Sequence, residues 1–177
     1  VFGPQKGATP EMLKVLDANL AHYASVILRQ FGKNVLEIPG TGAAGGLGIP
    51  FLLFSNATFK SGIEIVLDIA DFDRIIEDAD LVITGEGRID FQSVFGKVPT
   101  GVAKYAFRHK VPVLAIVGSI GDGASEVYLH GIDSIMSNVS SPMSLEEAME
   151  KSFELTVDAA ERAAKMIRIG LNMKQIL

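Results

Sequence analysis

The sequence predicts a mixed α/β fold, with a parallel sheet in its C-terminal part. Three observations carry that reading. The apolar runs at 81–83 and 113–117 are continuous and not alternating, as in strands covered on both faces, and a third strand is expected at 134–139. Segments of helical periodicity separate and follow them. Hydrophobic residues make up 48% of the 177, enough to fill a sizeable core. The strand–helix alternation starts at about residue 79. Residues 1–78 are rich in helix and loop and do not repeat it, so a domain boundary is expected near residue 78.

The elements follow in order. The opening VFGPQKGATPEM reads as loop. Thr9-Pro10-Glu11 then starts a helix: Thr9 caps it, Pro10 suits its first position, and Glu11 favours the positive end of its dipole. Leu13, Leu16, Leu20, Tyr23 and Ile27 recur along one face, and Gly32 ends the helix. A short strand is expected at 35–38, before Pro39. The run at 49–54 is apolar, and its periodicity does not type it. Ile65, Ile69, Phe72 and Ile76 predict a helix over 63–76. Residues 81–85 read as a buried strand ending in a glycine turn, and 99–109 as a helix. Strands at 113–117, ending at Gly118, and at 134–139 follow. Ser144 and Glu147 match a capping box. Met149, Phe153, Val157, Ala160, Ala164 and Ile167 form the expected apolar face of a final helix ending near Gly170.

Composition excludes several classes of function. The net charge is −5 and the pI is about 5.2, a poor match to nucleic acid or to a membrane surface. Without cysteine there is no disulfide, no thiolate metal site and no thiol nucleophile. That suits the cytoplasm. No apolar run reaches the roughly 18 residues a membrane span needs, and no signal peptide is apparent at the start. His22, His109 and His130 lack metal-ligand spacing to one another, and no Walker A, kinase H-R-D or G-x-S-x-G pattern occurs.

Two stretches stand out. The first, PGTGAAGGLG at 39–48, contains G-x-G-x-x-G from Gly40 to Gly45. A dinucleotide site would need a strand before it, a helix after it and an acid about 20 residues on. Glu64 supplies the acid, but Gly46, Gly48 and Pro50 break the helix, and no second strand carries Glu64. A long turn and an anion-accepting nest of backbone N–H groups both fit better than NAD.

The second, LVITGEGRIDFQSVFGKVPTG at 81–101, sits at the carboxyl end of a parallel strand, where open α/β sheets bind ligands. It gathers Glu86, Arg88, Asp90, Gln92, Ser93 and Lys97 with Gly85, Gly87 and Gly96, ahead of a helix N-terminus. Phosphoryl transfer needs cations to spread the moving charge, a carboxylate for Mg²⁺ and a carboxylate to orient or deprotonate a hydroxyl. This cluster holds all of these.

Four blocks, VFGPQKGA at 1–8, PGTGAAGGLG at 39–48, GIEIVLD at 62–68 and DLVITGEGRIDFQSVFGKVPTGVA at 80–103, resemble the C-terminal half of bacterial type I glycerate kinases. Similarity extends over nearly the whole chain. The resemblance implies ATP- and Mg²⁺-dependent phosphorylation of D-glycerate to 2-phosphoglycerate or 3-phosphoglycerate. It also implies two α/β domains, one flavodoxin-like and the other inserted into it, with the active site in the cleft between. On that reading 79–177 is the C-terminal part of the flavodoxin-like domain and 1–78 part of the smaller one. Glu86, Arg88, Asp90, Gln92, Ser93 and Lys97, with Gly85 and Gly87, fall in the family's G-E-G-R-x-D-x-Q-S-x-x-G-K block. Thr41, Gly42 and Gly45 match its glycine loop, and Gln5 and Lys6 its G-P-Q-K-G turn. Asp90 is then the residue that orients or deprotonates the glycerate hydroxyl. Arg88 and Lys97 hold phosphate or the glycerate carboxylate, and Glu86 binds Mg²⁺ or positions Arg88.

The family's opening strand and Asp-Ser-Phe-Lys-Gly-Ser type loop have no counterpart here, and the first residue is Val1. A fragment is therefore expected, active only beside the other half, with open sheet edges and apolar faces that favour association, including a homo-oligomer. The alternatives are a non-catalytic anion- or nucleotide-binding module and, through the glycine run, a dinucleotide-dependent oxidoreductase.

Overall fold

Thr9 starts the first helix as its sequence demands, its hydroxyl accepting from the Met12 N–H at 3.3 Å, and Gly32 ends it in the left-handed region. This helix, α1 (Pro10–Phe31), belongs to a computed structural model that describes residues 3–94 and 96–173. The Gln5 side chain lies outside the described residues.

Residues 1–60 and 61–177 form two compact units. In the first, α1 and α2 (Ile49–Phe54) enclose a small core of Ala24, Ile27, Val35 and Ile49. The expected strand at 35–38 does not form; that stretch is coil and turn. Pro39 and the glycines after it deny a strand any length, and Val35 is buried as a single anchor. The untyped run at 49–54 is helical, with Pro50 in its first turn.

The second unit begins at Ser61, so the boundary expected near residue 78 falls inside it. Leu67 of α3 (Gly62–Ile69) and Ile76, just after α4 (Phe72–Ile75), belong to the same core as the sheet. The predicted 63–76 helix breaks between them, where Asp71 takes φ 52°. Polar contacts reinforce this packing. The Tyr105 hydroxyl donates to Asp68, Lys104 pairs with Glu64, and Arg108 and His109 both reach Asp73, at 3.0 and 2.9 Å.

The sheet is parallel in the order β1 (Val82–Ile89), β2 (Val113–Ile120), β3 (Ser134–Ser137). α5 (Val98–His109) crosses from β1 to β2 and buries Val102, Ala103 and Ala106 against Val82, Ile89, Val113, Ala115 and Val117. Leu114 and Ile116 face the other way, onto Ala159 and Ala163 of α7 (Ser152–Met173). The central strand is thus covered on both sides, which explains its continuous apolar run. The link from β2 to β3 is a 3₁₀ turn at Ala124–His130 and not an α-helix.

The last helical stretch is divided at Lys151 between α6 (Leu145–Glu150) and α7. Ser144 caps α6 through the Glu147 N–H. The face α7 buries is Ala159 and Ala163, one residue off the predicted stripe; Met149 and Phe153 stay exposed. Small residues let the helix approach the sheet closely, and larger ones at those positions would hold it off. No helix among the described residues is long and apolar enough to cross a membrane.

Candidate functional site

The glycine turn expected after residue 85 is strand instead. β1 runs through Gly85-Glu86-Gly87-Arg88 to Ile89, and β2 likewise continues past Gly118 to Ile120. The glycines make this close pairing feasible. A Cβ on Gly85 would stand 3.1 Å from the Ile116 carbonyl oxygen, and one on Gly118 only 2.5 Å from that of Gly87. The ladder pairs Glu86 with Val117 and resumes with Arg88 opposite Ser119. Across this point strict alternation is lost. Val82 and Ile89, an odd number of residues apart, both enter the α5-side core. The glycine pair therefore re-aims the end of β1.

Asp90 follows directly and is the hub of the site. It is 9% exposed. Oδ1 accepts from the Gln92 N–H at 3.0 Å and lies 3.8 Å from Lys97 Nζ; Oδ2 lies 3.3 Å from Arg88 Nε. Its own N–H donates to Ser93 Oγ at 3.1 Å, and its carbonyl accepts from the Ser93 N–H at 2.9 Å. These bonds wind a 3₁₀ turn at Phe91–Val94. Thr100, inside the first turn of α5, donates to the Ser93 carbonyl at 2.9 Å, tying the turn to the helix that carries Lys97 at its N-cap. Arg88, Asp90, Gln92, Ser93 and Lys97 are thus brought together. Glu86 stands apart, half-buried in β1, and makes no ion pair with a described residue.

Magnitudes show what holds Arg88. Its side chain is 60% exposed, and an exposed ion pair contributes about 0–1 kcal/mol. A free arginine side chain carries about 2 kcal/mol of rotamer entropy. The pair with Asp90 is therefore not enough by itself. The turn after β2, Gly118-Ser119-Ile120-Gly121-Asp122-Gly123, lies beside the same strand end and was not singled out from the sequence. Two backbone bonds clamp it on either side of Asp90: the Gly121 N–H donates to the Ile89 carbonyl at 2.7 Å, and the Phe91 N–H to the Asp122 carbonyl at 3.0 Å. A second glycine-rich stretch at a second strand's carboxyl end was the available signal. Thr100 and Asn138 were missed as well. Asn138 is buried just past β3, its N–H donating to the Val117 carbonyl at 2.8 Å and its Oδ1 left without a described partner.

The other candidates lie in the first unit. Lys6 is exposed at the end of a 3₁₀ turn, Pro4–Lys6. Thr41 is buried, and its hydroxyl is engaged by the Val35 and Ile38 carbonyls at 3.0 and 2.8 Å. It therefore holds the loop's own backbone. Gly42 and Gly45 are exposed. The glycine run forms a 3₁₀ turn, Ala43–Gly46, in which Ala44, Gly45 and Gly46 take φ of 49°, 69° and 85°. No strand precedes it among the described residues, and the following α2 is short, so the dinucleotide geometry is absent there.

No group of three or more carboxylate or histidine side chains among the described residues is placed to hold a metal. A hollow of about 440 Å³ between α3, α5 and the 124–130 turn is lined by Glu64, Lys104, Phe107 and His130 and contains none of Glu86, Arg88, Asp90 or Lys97.

The glycerate kinase family model matches residues 1–168. The chain is 50% identical over 164 residues to a glycerate kinase of Halalkalibacterium halodurans, covering 93% of this chain and 43% of that protein. It is 49% identical to a glycerate kinase of Bacillus subtilis, covering 98% and 45%, and 45% identical to a glycerate 2-kinase of Escherichia coli, covering 97% and 45%. A crystal structure from Salmonella typhimurium LT2 described as glycerate kinase 2 superposes with a TM-score of 0.64 at 44% identity, covering 97% of this chain and 44% of that one. The chain spans less than half the length of these relatives.

Proposed function

The chain belongs to the glycerate kinase family, and on that premise we propose that it contributes the Arg88–Asp90–Lys97 centre to an enzyme that transfers phosphate from ATP to D-glycerate. The observation that carries the proposal is a single buried carboxylate fixed between two cations at the carboxyl end of β1. That is where an open parallel sheet presents ligands.

Phosphoryl transfer through a loose transition state asks chiefly for positioning and charge stabilisation. Asp90 meets the first need. Its oxygens are fixed by a backbone N–H and two cations, so a hydroxyl that donates to it is held in one orientation. Arg88 meets the second, its side chain mostly exposed beside Asp90, ready to take a carboxylate or phosphate in its fork. Lys97 adds a second positive charge at the start of α5. Mg²⁺, when bound with the nucleotide, neutralises charge on the phosphates. Such ions are held by one or two carboxylates plus phosphate oxygens, so the lack of a protein-only cage among the described residues is compatible with it. Glu86 fits as that carboxylate because no described cation occupies it.

The Escherichia coli relative is named a glycerate 2-kinase, which favours 2-phosphoglycerate as the product. The three-stranded parallel sheet, its central strand covered on both faces, supports assigning residues 61–177 to a flavodoxin-like domain. A cytoplasmic location accords with the absence of cysteine. The test is ADP release from ATP, with and without D-glycerate, by the intact protein and by Asp90→Asn. Glycerate-dependent release that disappears in the variant supports the proposal; equal release by both proteins refutes Asp90's part in it.

A further inference from the structure

We propose that Gly121 is a positioning residue: the empty space at its α-carbon is the shelf on which the Arg88 guanidinium lies, and that shelf keeps Arg88 turned toward Asp90. The inference rests on the proposed kinase reading for its catalytic consequence, but not for its geometry.

A glycine is required either by backbone conformation or by space. Gly121 has no left-handed φ, unlike Gly123 two residues on, at +70°. Alanine could therefore adopt the Gly121 backbone without strain. What it would meet is Arg88. A Cβ at position 121 would stand 2.7 Å from Nη2, 2.9 Å from Nε and 3.0 Å from Cζ. All three atoms belong to the guanidinium, and no other side chain or backbone comes as near. The Gly121 N–H meanwhile donates to the Ile89 carbonyl at 2.7 Å, so the shelf is tied to the strand residue between Arg88 and Asp90. The guanidinium thus lies against Gly121, with Asp90 Oδ2 3.3 Å from its Nε, and the side chain is 60% exposed. A guanidinium seated against the chain on one side and still largely exposed is arranged for an anionic ligand group.

The displaced atoms lie at the end of a flexible side chain. A methyl group at position 121 is therefore accommodated by moving Arg88, and the fold is kept. This separates a positioning role from a merely structural one.

The experiment is a double-mutant cycle in the intact protein with Gly121→Ala and Arg88→Ala, read in two ways. The first is the ¹⁵N–¹H signal of Arg88 Nε, identified by its loss in Arg88→Ala. Gly121→Ala should shift it toward the position of a free arginine while leaving the backbone amides of β1 and β2 in place. The second is kcat/KM for phosphorylation of D-glycerate. Gly121→Ala alone should lower it roughly 10- to 100-fold, the size of one charge-assisted contact. In the Arg88→Ala background the same change should matter less than about 2-fold, because its target is gone. Equal losses in both backgrounds, an unmoved Nε signal, or failure of Gly121→Ala to fold would each overturn the proposal. If the wild-type protein does not phosphorylate glycerate, the kinase reading fails, while the Nε signal still decides the geometry.

Discussion

The two glycine-rich regions share a composition and differ in what they use it for. In PGTGAAGGLG of the first unit, three of the five glycines serve conformation. Gly40, Gly45 and Gly46 all take positive φ, and a Cβ on Gly45 would meet nothing within 4 Å. In the second unit, Gly85, Gly118 and Gly121 serve proximity. None has positive φ, and a Cβ on each would meet the Ile116 oxygen, the Gly87 oxygen and the Arg88 guanidinium. One region bends the chain, and the other lets two strands and a cation come together. The difference explains why G-x-G-x-x-G spacing does not by itself make a dinucleotide site. The pattern records where glycines stand, while the chemistry depends on what each one admits.

The comparison is sharpened most by Asp90→Asn. It removes the charge around which Arg88 and Lys97 are arranged but leaves a side chain of the same shape. We expect kcat to fall by about 10²–10⁴, the usual range for a positioned acid–base group. Because the change is nearly isosteric, the melting temperature of the second unit should move little. A circular-dichroism melt beside the ADP-release assay separates the two effects.

Next in size is a matched pair of glycine substitutions. Gly118→Ala drives a methyl group into the Gly87 carbonyl, inside a parallel ladder that cannot open without losing core contacts. Overpacking of this kind costs about 1–3 kcal/mol. Gly45→Ala meets no neighbour and pays only for a left-handed backbone, about 1–2 kcal/mol. Hydrogen exchange resolved by segment should show the loss confined to β1, β2 and α5 for Gly118→Ala, and to residues 40–54 for Gly45→Ala. The reverse assignment would break the distinction between proximity and conformation.

Much of this was legible in the sequence, and the rest was hidden for physical reasons. The parallel strands, α1 with its Thr9 and Gly32 caps, and the capping box at Ser144 could be read, because periodicity and capping are local. So could the cluster from Arg88 to Lys97, whose members lie within one turn and one helix start. Three features were not legible. Gly85 and Gly87 read as a turn because glycine weakens a strand in isolation. Only the facing Gly118 reveals that the strands need them. The α7 face was misplaced by one residue, since Ala159 and Ala163 are buried for their small size and not for their hydrophobicity. Thr41 was expected to touch ligand, yet its hydroxyl is taken by Val35 and Ile38, a tertiary fact that no spacing encodes.

The smallest expected effect concerns pH. The hydrogen bond and charge of Lys104 hold the Glu64 carboxyl below its ordinary value of 4.5. A depressed carboxylate stabilises the fold fully above its unfolded-state value, and that contribution is lost as pH falls through the lower folded value. Both partners are partly exposed, so the effect stays within about 0.2–1 kcal/mol. Lys104→Met should therefore lower stability slightly at pH 7, and urea midpoints should show the difference from wild type vanishing in acid below the depressed value. Asp90→Asn should leave this acid dependence of the α3–α5 contact unchanged.

The most direct test of the central claim is to incubate the intact protein with ATP, Mg²⁺ and D-glycerate and identify the products by ³¹P NMR. The arrangement around Asp90 predicts ADP and a phosphomonoester of glycerate formed together, and neither from Asp90→Asn. ATP left intact by a folded protein, or a phosphorylated product formed equally well by the variant, would contradict it.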